Sequence, residues 1–415
     1  MDTHMPQTSA KIHSFKRRSL MLVITCLGMF SGSYAQFQLP PLAARLIPEL
    51  GITNPEFASL VTAPMIPSIL LGIIAGILCD RMGIKKIIGI GLAFGAFGGL
   101  ARLFATNYTE MMIFLAFSGA GSAFLNANLA KIISSWFPPE QMSKVMGIVL
   151  MAGTGGMVIG MGTTALFPST DSAFIFGGCL CLVSTILWLI VVRDNRIDVI
   201  SQAEPAESLL AILSVTAKNP ALWTVGFCLA FTMGGMMAFS TFLPLALSHL
   251  KSLDPITAGA IGSTVLLGNL VSALLSPIIA QKIGYYKPYF LTLGLLAGAG
   301  IYFGWTVDEA YLTPVMFMTG LCIGGVMPLF MISPALIKSI GPKYAGAAGG
   351  IMTTLMLIGA VFIPAIVITP LGGDNYQLIF ALSGGCLILM GLCAQLLPEF
   401  GPKARRSAAP QPALK

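Results

Sequence analysis

Gly76-Ile77-Leu78-Cys79-Asp80-Arg81-Met82-Gly83-Ile84-Lys85-Lys86 is the stretch that decides the fold. It lies between two long apolar segments and returns, degraded, as Pro277-Ile278-Ile279-Ala280-Gln281-Lys282-Ile283-Gly284-Tyr285-Tyr286-Lys287, at an offset of 201 residues. A short charged loop repeated between apolar segments marks a duplicated half. A duplicated helical bundle in a bilayer is the architecture of many secondary transporters.

Composition carries the membrane assignment. Hydrophobic residues make up 56% of the 415-residue chain and charged residues 9%, against roughly 25% charged in a soluble domain. A charged side chain at a bilayer centre costs about 2.5–3.5 kcal/mol, and a span needs about 20 apolar residues. Windows of that kind fall at 20–43, 56–78, 87–106, 111–134, 145–167, 173–192, 221–247, 257–281, 288–306, 311–336, 347–369 and 377–397. The runs are continuous and not alternating, which predicts helices and not barrel strands. The expected fold is all-α and integral to the membrane, with twelve transmembrane helices in two pseudo-symmetric six-helix bundles.

The net charge of +7 would point to nucleic acid in a soluble protein. Its distribution points to topology instead. With a cytoplasmic N-terminus, 20 of the 23 basic residues fall on the cytoplasmic side, and only Arg45, Arg102 and Lys251 fall outside. This is the positive-inside pattern; it places both termini in the cytoplasm, as in a bacterial-type plasma membrane. The partners it implies are membrane lipids and a small-molecule substrate, and the chain is expected to be a monomer.

The organisation expected is a cytoplasmic tail over 1–19, a six-helix bundle over 20–192, a cytoplasmic linker over 193–220, a second bundle over 221–398 and a tail over 399–415. The first span is a retained helix and not a cleaved signal. The eight cysteines lie in or beside apolar segments and serve as small hydrophobes. No metal-ligand spacing appears, no P-loop pattern is present, and no cofactor is called for. His249 falls in an outer loop on this reading.

The repeat extends beyond the loop. Gly147, Gly156 and Gly160 are matched 203 residues later by Gly350, Gly359 and Ile363, with Pro364 at the place of Met161, Pro342 at that of Pro139 and Gly324 at that of Gly121. Small residues so spaced let helix backbones approach closely.

With these residues in view, the chain resembles the major facilitator superfamily over essentially its whole length. Gly76, Leu78, Asp80, Arg81, Gly83 and the Lys85-Lys86 pair match that family's loop between spans two and three, of form G-x-L-x-D-R-x-G-[RK]-[RK], with the basic pair displaced by one residue. The resemblance implies two bundles rocking about a central cavity, lined by spans one, four, seven and ten. It also implies a gating role for Gly76, Asp80, Arg81 and Gly83, in a charge network that stabilises the outward-open state. Two departures separate the chain from the drug–proton antiporter motifs. Met161 stands where their span five carries Pro, and span four, Phe114-Leu115-Ala116-Phe117-Ser118-Gly119, has no Arg before its glycines.

Intramembrane polar residues are the default candidates for a binding site. Here they are Tyr34 and Gln38, with Ser31 and Gln36, in span one; Ser122, Asn126, Asn128 and Lys131 in span four; Asn269 in span eight; and Lys338 in span ten. The asparagines can equally serve to bond neighbouring helices, and Lys131, Lys338 and Arg102 can snorkel to the nearest interface. Phe231, Met233, Met236, Met237, Met327 and Phe330 are either ordinary helix surfaces or the walls of an apolar cavity. No Asp or Glu lies deep in any span, which leaves a cation without a counter-ion and no catalytic cluster for an enzyme. The expected activity is secondary or facilitative transport of a small organic anion such as a carboxylate, with a coupling ion or counter-anion as a possible companion. The alternatives are efflux of uncharged or amphipathic compounds, and a membrane sensor that moves nothing.

Overall fold

The computed structural model of the protein describes residues 15–192, 218–336, 341–399, 401 and 403. Most of the expected linker, residues 193–217, and most of both tails lie outside the described residues.

The first half consists of α1 (Phe15–Gln36), α2 (Ala43–Leu50), α3 (Asn54–Thr62), α4 (Met65–Met82), α5 (Ile84–Ala101), α6 (Tyr108–Ala127), α7 (Leu129–Trp136), α8 (Pro139–Thr163) and α9 (Thr170–Val191). The second consists of α10 (Pro220–Lys251), α11 (Pro255–Ile283), α12 (Tyr286–Phe303), α13 (Glu309–Gly324), α14 (Met327–Leu336), α15 (Gly341–Phe362), α16 (Thr369–Gly372) and α17 (Tyr376–Cys393). Eleven stretches among the described residues are long and apolar enough to cross a bilayer. The 18-residue α4 supplies the twelfth span, continued by α3 beyond a turn at Ala63–Pro64. Span two therefore reaches further than the apolar window 56–78 and is broken where Pro64 cannot donate.

The even number of spans puts both ends on one face, together with Arg17, Arg81, Lys85, Lys86, Lys144, Lys282 and Lys287. We call this the basic side and the opposite face the far side.

The repeated loop has a physical reason in both copies. α4 ends at Gly83, whose φ is +91°, and α11 ends at Gly284, whose φ is +84°. Each glycine donates its N–H back into the last turn, Gly83 to Cys79 O and Gly284 to Ala280 O. A positive φ at the end of a helix is the position glycine fills without a Cβ penalty. In the second copy the chain end adds to this turn: the Glu399 carboxylate accepts from the N–H groups of Tyr286 at 2.7 Å and Lys287 at 3.1 Å, at the start of α12.

Helix packing repeats as well. Gly156 and Gly160 of α8 lie on the backbone of Phe30 and Tyr34 in α1, and Gly359 of α15 lies on Ala230 in α10. At the next turn the small residue changes helices. Ile363 stands where the first half has Gly160, and it rests on Gly234 of α10. Either arrangement keeps the two backbones close. Span eleven then passes through a π-helical stretch, Ile363–Ile368, with Thr369 Oγ1 bonded to Pro364 O at 2.7 Å.

Two sequence expectations are corrected here. His249 sits in the last turn of α10, not in a loop, with its ring 5.8 Å from that of Tyr376. Arg102 does not snorkel; it is 1% exposed.

Gly83→Ala and Gly284→Ala force a Cβ onto backbone of positive φ, at about 1–3 kcal/mol each. Both variants should insert normally and unfold at a lower temperature in detergent, by a few degrees. Unchanged midpoints in both would show that these turns do not need glycine.

Candidate functional site

The two halves meet on the far side and part toward the basic side. On the far side Phe57 of α3 meets Phe242 of α10 edge-on, with ring centroids 6.4 Å apart. Met161, fully buried, lies against Gly259 and Gly262 of α11. Asn54 Nδ2 donates to Asp374 Oδ1 at 2.9 Å, linking the start of α3 to the turn after α16. These contacts make an apolar seal with one polar latch.

Moving along the same helix faces toward the basic side shows the separation. Phe231 precedes Phe242 by eleven residues, three turns to within about 20°, so it points the same way. Phe242 is 0% exposed, and Phe231 is half-buried. The pair α8 and α11 behaves likewise. A Cβ on Gly162 would stand 3.0 Å from Ser263 Oγ, whereas one on Gly155, about two turns nearer the basic side, would meet nothing within 4 Å. A Cβ on Gly76 in α4 or Gly147 in α8 also meets nothing. The result is a gap between the halves, shut at the far side.

Polar residues distribute themselves around this gap unequally. Asn126 is exposed at the basic end of α6 and donates to Ser122 O in its own helix at 2.9 Å. Lys131 follows on α7, half-buried. Asn128, between them, turns the other way and is buried. It donates to Phe124 O at 2.9 Å and Ala75 O at 3.3 Å, fastening span four to span two. Asn269 stays within the second half, with Nδ2 3.3 Å from Met236 Sδ. At the closed ends of spans one and seven, Gln36 Nε2 and Ser240 Oγ are buried and make no hydrogen bond within the described residues. Lys338 and the Asp80 side chain lie outside the described residues. Arg81 is exposed on the basic side.

Tyr34 and Gln38 do not join Asn126 at the gap. The Tyr34 hydroxyl pairs with Thr163 Oγ1 at 3.3 Å, on the flank of the first half. Gln38 is fully buried among spans one, three and six, and its Nε2 donates to Ala173 O at 2.7 Å. Gly177 leaves the room its amide occupies.

Gln38 belongs to the network of Arg102, which the sequence alone did not disclose. Pro40 and Pro41 carry no N–H, so α1 stops at Gln36 and resumes only through a 3-10 turn at Pro40–Leu42. The Leu39 N–H bonds Gln36 O, and the Ala35 carbonyl is released from the helix ladder. Arg102 NH1 takes that carbonyl at 2.9 Å, its Nε takes Gly99 O at 3.3 Å and NH2 takes Gln38 Oε1 at 3.3 Å. The guanidinium also lies 4.5 Å from the centroid of the Phe174 ring. No carboxylate is needed. The cation sits at the C-terminal, negative ends of α1 and α5 and over an aromatic face, and three of its five donors are engaged. A lone Arg inside an apolar window was the available signal.

Arg102→Leu leaves the Ala35 carbonyl and the Gln38 amide oxygen unpaired, at about 1–3 kcal/mol for each buried group. Thermal unfolding in detergent should fall clearly for Arg102→Leu and less for Arg102→Lys. Equal stability of Arg102→Leu and wild type would deny the network its structural role.

The sequence profile of the Major Facilitator Superfamily matches residues 20–364. Quinolone resistance protein NorA of Staphylococcus aureus (strain MRSA252) is 23% identical over 339 residues, covering 79% of this chain and 83% of its own. Multidrug resistance protein 2 of Bacillus subtilis (strain 168) is 21% identical over 397 residues, covering 91% and 95%. Among solved structures, a bacterial homologue of the human lysosomal transporter Spinster, inward-facing and unoccupied, superposes with a TM-score of 0.75 at 13% identity, over 92% of this chain and 96% of that one. The nucleoside transporter NupG gives 0.74 at 14% identity, over 91% and 99%. Relatives named for drug resistance thus occur despite the departures at Met161 and in span four.

Proposed function

The chain belongs to the major facilitator superfamily, a family of membrane transporters of small molecules, and we propose that its own substrate is an uncharged or amphipathic organic compound, moved out of the cell by alternating access. The observation that carries this reading is the apolar closure of the far side by Phe57, Phe242 and Met161 above halves that part at Gly155, with Phe231 of α10 on the same face as the sealed Phe242. Met233 and Met327 are partly buried beside the same core, and their flexible thioethers adapt to varied apolar shapes. Gln36 Nε2 and Ser240 Oγ supply polar points at the closed end, where a buried group without a partner favours a ligand that provides one. The relatives named for quinolone and multidrug resistance support the same class.

A small organic anion remains the second reading. Lys131 beside Asn126, and the lack of carboxylates deep in the spans, favour it. Gln38 and Asn128 lend it no support, because their amides are bonded within the first half.

The basic side is the cytoplasmic face of a bacterial-type plasma membrane on this proposal, and the state described is inward-open. The halves would then exchange their closed and open ends. Asp80 and Arg81, at the end of span two, would pair across the interface when the basic side closes. Gly76, Gly147 and Gly155 would provide the flat surfaces on which that closure lands.

Flux in proteoliposomes tests the substrate. Uptake of lipophilic neutral or amphipathic dyes should exceed that of carboxylates and oxyanions, and Ser240→Ala should weaken it. Flux of small carboxylates alone would overturn the proposal in favour of the second reading. Gly155→Leu tests the exchange of states. A side chain there fits the described state and obstructs its opposite, so transport should fall by roughly 5–150-fold, the range of a 1–3 kcal/mol coupling, with unfolding temperature unchanged. Full flux in Gly155→Leu would deny that α8 and α11 close together.

A further inference from the structure

A well-formed recess of the described residues lies apart from the gap between the halves. It is a groove on the flank of the first half, between spans one, five and six, with a volume of about 410 Å³. Phe30 and Tyr34 of α1 form its floor, Ile159 and Thr163 of α8 one wall, and Phe176 and Leu180 of α9 the other. The turn Leu166–Pro168 closes it at the far side. From Ile159 to Leu166 is seven residues, about 10 Å of helix rise, so the groove runs along the helices for much of one leaflet.

Its interior offers nothing to a polar ligand. The Tyr34 and Thr163 hydroxyls satisfy each other, and Thr163 Oγ1 also donates to Ile159 O at 2.6 Å. Its rim faces outward: Ile159 is 46% exposed, Phe176 48% and Leu166 59%. At the mouth stands a cation. Arg45 NH1 donates to Phe167 O at 2.9 Å, which commits one of the five N–H donors of a guanidinium. Glu49, one turn along α2, accepts from Thr170 Oγ1 at 3.2 Å. An apolar channel parallel to the bilayer normal, with a guanidinium at headgroup level, complements one class of molecule.

We propose that this groove holds one phospholipid of the far-side leaflet, with an acyl chain along Tyr34 and Phe176 and the phosphate against Arg45. The groove lies outside the transport path, and the lipid braces α1 just before its break, where Tyr34 is joined through Ala35 to the Arg102 network. This assigns Tyr34 a place beneath a lipid chain and not beside the transported compound.

Native mass spectrometry of the purified full chain, titrated with a dioleoyl phospholipid in detergent, tests the assignment. Wild type should retain one lipid in preference to all others. Ile159→Trp, which fills the groove from its exposed wall, should lower that affinity by at least about tenfold. Arg45→Gln should lower it severalfold. Leu296→Trp, on the exposed surface of α12, should leave it unchanged, and glycerophosphate without chains should not compete. If Ile159→Trp does not fold, Leu166→Trp probes the same recess from a more exposed position. Equal lipid retention in wild type, Ile159→Trp and Arg45→Gln would overturn the proposal. So would loss of substrate flux in Ile159→Trp with lipid retention unchanged, since the groove would then be part of the substrate's route.

Discussion

In hydrocarbon no water is available to a backbone carbonyl, and a carbonyl released from a helix has to be paired inside the protein. The first span meets that constraint at Pro40 and Pro41. The helix breaks, the Ala35 carbonyl loses its ladder partner, and the buried Arg102 guanidinium takes it while also holding Gln38 and the end of α5. The break lets the chain turn into α2 and α3 over the far side. There Pro41 packs against Gly259 of the second half, and Phe57 packs against Phe242. The far-side seal, and with it the one-sided opening, depends on a bend that a cation in another helix makes tolerable.

Among the described residues the halves meet through small residues and aromatic edges and not through ion pairs. Within each half, glycine against backbone gives close and rigid contacts, as at Gly156 on Phe30 and Gly359 on Ala230. Between the halves, methionine, proline and phenylalanine surfaces meet one another and small residues such as Gly259 and Gly262, and they part without leaving charges unpaired in an apolar medium. The Asn54 amide, bonded to Asp374 and to Gly373 O, is the polar exception among the far-side contacts of the described residues, and it lies at the water-facing rim, where solvent can replace it at small cost. A seal of this kind can open and close without a large desolvation penalty on either path.

Much of this was legible in the sequence, and the residues show why the rest was not. Gly83 and Gly284 are local features: a helix end demanding positive φ writes itself into the chain as glycine, and the repeat makes it visible twice. The span count follows from hydropathy alone, with α3 and α4 blurred only because Pro64 interrupts them. Arg102 was misjudged because its position in the chain, a few residues from an apolar window's end, is that of a snorkelling residue. Its burial is set by Ala35, Gln38 and Phe174, which two other helices supply. Tyr34, Gln38 and Asn128 look alike in the sequence as intramembrane polar groups. What separates them from Asn126 is the face of the helix each occupies relative to neighbours more than fifty residues away. Asn54 and Asp374, 320 residues apart, carry no mark of their meeting at all.

The central claim is that one interface of this protein is sealed at the far side while it is open at the basic side, and that the two exchange. Pulsed electron paramagnetic resonance on the chain in lipid bilayers, with spin labels on a cysteine-free background, measures this directly. One label pair, at Thr53 and Asp254, spans the far side; another, at Lys144 and Lys282, spans the basic side. Two distances are expected for each pair with opposed populations, the far-side pair short when the basic-side pair is long. A single unchanging distance for both pairs, with and without a transported compound, would contradict that claim.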